Sequence, residues 1–298
     1  MEQGRSSQTA MLCAMLRAAH VVHDTKPCIL YDDLAAGLAG FSDEASLNSA
    51  LHSFEQELAG LSSAATAKAW MEISRLCIAT RTRYAEDELE TAVARGVSQY
   101  VVLGAGFDSL AYRRRDLADR VRIFEVDHPV TQEQKRNCLE RLRVPVASNV
   151  TFVPVDFEME QSAIGALQAG GYRHDQPAFF SWLGVVWYLT DESIDRTFRE
   201  IASAASGSEV VLDYLVPQFM LDGRGRQIVQ MAEAAAAARR EQGGRYFEPA
   251  HMAERLRVAG FSRVRDSGAA ELNARYFCHR ADGLQIPRMM HLVSAQVT

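Results

Sequence analysis

The chain has 298 residues, 48% of them hydrophobic, enough to bury a large core without disulfides or a structural metal. Its formal net charge of -6 argues against a nucleic-acid partner, since such binders carry a basic face that neutralises phosphates. The 5 cysteines, Cys13, Cys28, Cys77, Cys138 and Cys278, form no Cys-x-x-Cys pair, so neither a disulfide framework nor a metal site is expected. The first apolar stretch is broken by Arg17 and His20, which argues against a signal peptide or membrane span; a cytoplasmic protein with no membrane partner is expected.

Residues 9–24 place Met11, Leu12, Met15, Ala18, Ala19 and Val22 at helical spacing, and 24–38 read as a turn and a short second helix. Further helices are expected over 42–63, with Leu47, Leu51, Phe54 and Leu58 on one face, and over 64–95, around Trp70, Ile73, Leu76 and Leu89. From Gln99 the texture changes to short β-branched runs separated by helices: 100–103, 121–126, 150–155, 178–182 and 209–215. That alternation is the signature of a parallel sheet in an α/β protein. After Pro217, an Ala-rich segment over 219–241 ends in Arg239 and Arg240 and reads as an inserted helical lid. A helix over 249–259 ends at Gly260, and 261–265 and 291–297 are closing strands. The expected organisation is one domain: a helical cap and entry helix over 1–98, a core over 99–215, the lid over 216–250, and completion of the core over 251–298.

The sharpest local signal is Val101-Val102-Leu103-Gly104-Ala105-Gly106-Phe107-Asp108-Ser109, a buried strand turning into a helix through two glycines that let backbone approach a ligand. A tight structural turn without a ligand is the plain alternative. Ser109 stands where a dinucleotide fingerprint has its third glycine, which disfavours a nicotinamide cofactor. The next strand ends Phe124-Glu125-Val126-Asp127-His128-Pro129, an acid about 20 residues on, where a ribose diol would sit. Glu125 and Asp127 share a face and Asp127 lies nearer the carboxyl end, so Asp127 is the candidate; the alternative is that it caps the helix at Pro129. A third strand ends in Asp156 and Phe157, an acid with an aromatic able to pack on a purine, unless Asp156 is a solvated loop carboxylate.

The chain resembles the leucine carboxyl methyltransferase-like group of class I methyltransferases over nearly its whole length. The likeness is carried by Arg17-Ala18-Ala19-His20, Ile29-Leu30-Tyr31-Asp32-Asp33-Leu34-Ala35 and Arg81-Thr82-Arg83-Tyr84-Ala85-Glu86-Asp87. The glycine loop, the Phe124 to Pro129 stretch and Trp182-Leu183-Gly184-Val185-Val186-Trp187-Tyr188-Leu189-Thr190 follow in order. The resemblance implies a Rossmann-like fold with a mostly parallel seven-stranded sheet and S-adenosyl-L-methionine as cofactor. It places Arg81 on the methionine carboxylate, in preference to Arg83, and Gly104, with Ala105, Gly106 and Asp108, against the methionine portion. Asp127 and His128 would hold the ribose, Asp156 and Phe157 would frame the adenine, and Leu183 would contribute a further contact. Members acting on protein C-termini tend to carry a glutamate at Leu183, so a small-molecule acceptor is expected in place of a protein.

The expected reaction is methyl transfer to an oxygen nucleophile, a carboxylate needing no catalytic base because it is ionised at neutral pH. The alternatives are a phenol or hydroxyl acceptor in natural-product biosynthesis, a nicotinamide oxidoreductase, and a non-catalytic adenosyl-ligand-binding protein. Arg17 and His20 on the cap helix are candidates to meet the acceptor, as are Tyr112 and Tyr214, with Tyr188 and Asp213 as further pocket residues. Trp182 and Trp187 read as core packing, and nothing in the sequence sets the oligomeric state.

Overall fold

In the computed structural model, residues 8–156, 163–238 and 244–298 are described. Four helices come first: α1 (Gln8–His23), α2 (Ala35–Leu38), α3 (Glu44–Leu61) and α4 (Ala64–Ala94). Helix α3 starts on a reciprocal cap, the Asp43 carboxylate accepting from Ser46 N–H while the Ser46 hydroxyl accepts from Asp43 N–H. Ser63 caps α4 in the simpler way, through Thr66 N–H. The 31 residues of α4 bury one long stripe, from Ala67 and Trp70 through Ile73, Leu76 and Leu89 to Val93, against α1, α3 and the sheet.

The sheet is built from β1 (Gln99–Leu103), β2 (Arg122–Asp127), β3 (Val150–Pro154), β4 (Phe179–Trp182) and β5 (Glu209–Leu215), and is closed by β6 (Phe261–Ser267) and β7 (Met290–Val297). Its seven strands run in the order β3-β2-β1-β4-β5-β7-β6, with only β7 antiparallel to its neighbours. The helices between them are α5 (Leu110–Arg113), α6 (Pro129–Arg141), α7 (Ala163–Ala169), α8 (Asp191–Ala202), α9 (Gly223–Ala238), α10 (Pro249–Ala259) and α11 (Ala269–Tyr276). Every residue of β1 is buried, as expected for a strand covered by helices on both faces. On the α8 side, Trp182, Phe198 and Phe261 stack edge to face, and Trp182 is fully buried.

The strand order doubles back between β1 and β4, and the carboxyl ends of the strands beside such a switch are where open α/β sheets bind ligands. Helix α9 follows β5 and packs on α3 and α4, covering the cap helices. The region expected to close the chain with two strands also carries α11, whose eight residues gave no periodic signal.

Candidate functional site

The glycine loop leaves β1 by turning its amides toward the end of β2. Gly104 and Ala105 N–H both donate to the Val126 carbonyl, at 2.9 and 3.0 Å, and Gly106 N–H donates to the Asp127 carboxylate at 2.5 Å. Gly104 and Gly106 have φ of +71° and +48°. A Cβ at Gly104 would come within 2.5 Å of the Val185 side chain, so the turn after β1 closes onto the turn after β4. Asp108, one residue before the N-cap Ser109 of α5, accepts from Leu110 N–H at 2.9 Å through its carboxylate.

Asp127 does not cap α6; His128 does, its Nδ1 accepting from Val130 N–H at 3.3 Å while Pro129 occupies the first helical position. The second Asp127 oxygen accepts from His128 N–H at 2.7 Å. Burial pushes the Asp127 carboxyl above its ordinary range, against the opposing pull of the Gly106 and His128 amides. His128 Nε2 lies 3.7 Å from the Asp156 carboxylate at the end of the neighbouring strand. Phe157, expected to frame the adenine, lies outside the described residues, as do Arg239 and Arg240.

Arg81, from the middle of α4, reaches the carboxyl end of β5, where its Nη1 donates to Asp213 at 3.0 Å and its Nη2 to Cys13 Sγ at 3.4 Å. The other Asp213 oxygen accepts from Gly184 N–H at 2.5 Å. Arg83, by contrast, is exposed and pairs with Asp87 one turn along. Leu183, half-buried before Gly184, packs on the core.

Arg17 and His20 serve the cap. Arg17 is 6% exposed and donates to Asp32 at 2.8 Å and to the Phe107 carbonyl at 2.6 Å, tying α1 to the glycine loop. Ser109 and Arg113 complete that network, Arg113 also pairing with Glu86 of α4. Burial opposes ionisation of Asp32, yet the charges of Arg17 and Arg113 hold its carboxyl below the usual range. His20 is wholly buried, with Nδ1 2.5 Å from Asp24 and Nε2 accepting from Leu30 N–H. Tyr112 is buried beneath α6 beside Glu125 and Lys135. Tyr214 faces away from Asp213 and donates to Asp266 at 2.5 Å; the other Asp266 oxygen holds His291 Nδ1 at 2.5 Å. Trp187 and Tyr188 are half-buried after β4, in tilted contact at 5.3 Å.

A hollow of about 480 Å³ lies at the opposite edge of the sheet, lined by Arg95, Glu209, Arg263 and Gln296. Its arginines are largely matched by carboxylates, Arg95 by Glu209, Arg257 by Glu254 and Arg265 by Glu88, so it carries little net charge. The convergent polar groups are at the carboxyl edge instead, and their chemistry suits an adenosyl amino acid: a carboxylate at the end of β2 for a diol, close-packed glycines, and a guanidinium with donors to spare.

The family model for leucine carboxyl methyltransferase matches residues 10–202. The chain belongs to the leucine carboxyl methyltransferase family. A provisionally named S-adenosyl-L-methionine-dependent methyltransferase of Bacillus subtilis is 28% identical over 307 residues, covering 99% of both chains. One from Mycolicibacterium paratuberculosis is 36% identical over 138 residues, 46% of this chain and 45% of that one. Among solved structures, a DUF574 family protein from Streptomyces avermitilis superposes with a TM-score of 0.57 at 16% identity, covering 88% of this chain and 95% of that one. A provisionally named methyltransferase from Thermobifida fusca gives 0.54 at 16% identity, over 88% and 93%. These two likenesses show the class I methyltransferase fold. This member of the leucine carboxyl methyltransferase family is an S-adenosyl-L-methionine-dependent methyltransferase. No helix among its described residues is long and apolar enough to cross a membrane.

Sequence reasoning overlooked the partners. Asp32 and Ser109, which with Arg17 lock α1 to the glycine loop, both lie in stretches that carry the family resemblance or the glycine turn, yet their pairing joins positions 77 residues apart. His291 and Asp266 gave no signal, because no motif marks the strands β7 and β6 that carry them.

Proposed function

We propose that this enzyme transfers a methyl group to an oxygen of a small-molecule carboxylate in the cytoplasm. Bound S-adenosyl-L-methionine supplies the electrophilic methyl on its sulfonium. Asp127 takes the ribose diol through the lone pairs its two amide partners leave free, and Arg81 takes the methionine carboxylate with its remaining N–H donors. Gly104 and Gly184 let Val185 and Arg81 pack tightly on the turns after β1 and β4, and the Arg17–Asp32–Ser109 network holds the loop in place before any ligand arrives.

The observation that supports a carboxylate acceptor is the occupation of the candidate bases. His20 has both nitrogens in internal bonds, His128 Nδ1 caps α6, and Tyr112 and Tyr214 are buried with phenols pushed far up by burial and adjacent carboxylates. An acceptor that arrives ionised needs none of them. Single-turnover rates are therefore expected to be nearly flat from about pH 6 to 9, with a methyl ester product that mild alkali cleaves. A second reading, transfer to a phenol or hydroxyl, would take the His291–Asp266 pair as its base, Asp266 orienting the imidazole, although that pair lies with Tyr214 on the sheet face opposite Asp213. Under it the rate climbs with pH and the methyl group survives alkali.

The cofactor assignment has its own check. S-adenosylhomocysteine is expected to raise the melting temperature and NAD to leave it unchanged, because only a ligand bound to the folded state stabilises it. Equal shifts with both would overturn the assignment.

A further inference from the structure

We propose that Asp213 is the residue that recognises the α-ammonium of the cofactor's amino-acid end, and that the same carboxylate orients Arg81 for the α-carboxylate. The inference rests on the cofactor placement proposed above.

Asp213 belongs to a strand whose other residues from Val210 to Tyr214 are apolar or aromatic and buried, and it is itself only 9% exposed. On β5 the side chains of Leu212 and Tyr214 turn to the opposite face, while Asp213 turns toward Arg81 of α4. Its partners come from two other elements, Arg81 of α4 at 3.0 Å and Gly184 N–H after β4 at 2.5 Å, one on each oxygen. A carboxylate offers about four lone-pair sites, so these two bonds leave acceptor capacity on both oxygens. A guanidinium has about five N–H donors, and the described acceptors of Arg81 are one Asp213 oxygen and the weakly accepting Cys13 sulfur. Donors and acceptors thus stand side by side at the carboxyl ends of β4 and β5, next to the switch in strand order between β1 and β4. A zwitterionic amino-acid end is the ligand with the complementary pair of charges.

The surroundings agree. A buried ion pair is weak grounds for stability by itself, because desolvation offsets the attraction. This one is instead pressed against backbone that only glycine permits: Gly184 has φ of +71°, and a Cβ there would come within 2.5 Å of Arg81 Nη2. Burial pushes the Cys77 thiol, one turn before Arg81, up to about 12, so it adds no charge. Leu183, next to Gly184, adds none either. The net charge of the Arg81–Asp213 pair is zero, as is that of the group it would receive, so binding leaves no uncompensated charge in a desolvated place.

Calorimetric titration of the full chain with two ligands tests this. One is S-adenosylhomocysteine; the other is 5′-(3-carboxypropylthio)adenosine, the same molecule without its amino group. The wild-type protein is expected to bind the deamino ligand about 10- to 100-fold more weakly, the loss of a hydrogen bond to a charged group. In Asp213→Asn, S-adenosylhomocysteine should weaken by a similar factor and the gap between the ligands should close to within about threefold. No gap in the wild type overturns the proposal even if the variant fails to fold. A gap that persists in Asp213→Asn also overturns it, leaving Asp213 as a strut for Arg81. A wild type that binds neither ligand removes the cofactor placement along with the proposal.

Discussion

Replacing Lys135 with methionine is expected to cost about 3 to 5 kcal/mol of folding stability, the largest loss anticipated for a single substitution away from the site. Lys135 Nζ lies 2.6 Å from Glu125, and both side chains are 1% exposed. The pair sits under α6, where Gln132 donates to the carbonyls of Glu125 and Val153 and so stitches β2 to β3. Methionine fills similar volume, which keeps the cavity contribution small, but it leaves Glu125 as an unpaired buried carboxylate. Burial already pushes the Glu125 carboxyl above its ordinary range even with Lys135 opposing it. A carboxyl whose folded pKa is raised contributes stability that is present below its unfolded value, near 4.3, and lost as pH rises through the folded one. Removing Lys135 raises the folded value further, so the deficit should grow from pH 5 to pH 8. Denaturant midpoints measured at both pH values check this, and Glu125→Gln in the Lys135→Met background should recover much of the loss by removing the stranded charge. An unchanged midpoint in Lys135→Met would mean that water reaches the pair.

Local signals carried the fold a long way. The β-branched runs around Val101, Phe124 and Val210 needed only period and length to be read as buried strands. Helix α10, with Pro249 at its start and the left-handed Gly260 at its end, needed only capping rules. Helix α11 escaped because a short amphipathic segment between two strands has too few residues to show a period. At the site, residues that act through the backbone were legible, since the glycine loop and the acid ending β2 are fixed by chain geometry alone. Residues that act through a distant partner were not. Arg81 and Asp213 are 132 positions apart, so Asp213 read as a pocket residue at a strand end with no link to Arg81 until the fold brought α4 across β5. The reverse holds for Arg17 and His20: a charged residue and a histidine on a cap helix look free in one dimension. Asp24, Asp32 and the Phe107 carbonyl that occupy them become visible only once the loops are folded back.

Asp127→Ala is expected to weaken S-adenosylhomocysteine binding by about 1.5 to 3 kcal/mol, some 10- to 100-fold, the loss of hydrogen bonds to a charged acceptor. Its effect on the unliganded protein should have a different pH signature. Burial, opposed by the Gly106 and His128 amides, raises the Asp127 carboxyl above its unfolded value near 3.9. The folded state therefore holds the proton more tightly, and the stability this contributes is lost as pH rises through the raised value. The variant has no such group, so its stability relative to wild type should improve from pH 4 to pH 7, even though two amide contacts, at 2.5 and 2.7 Å, are lost at every pH. A diol donating to the carboxylate favours the ionised form, which pulls the bound pKa back down. Wild-type affinity for S-adenosylhomocysteine should accordingly rise with pH through the same window and then level off, while the weaker affinity of the variant stays flat. Calorimetry at pH 5 and pH 8 on both proteins separates these outcomes. If the variant binds as tightly as wild type at both values, Asp127 makes no contact with the cofactor, and its carboxylate serves only to clasp the Gly106 turn to the end of β2.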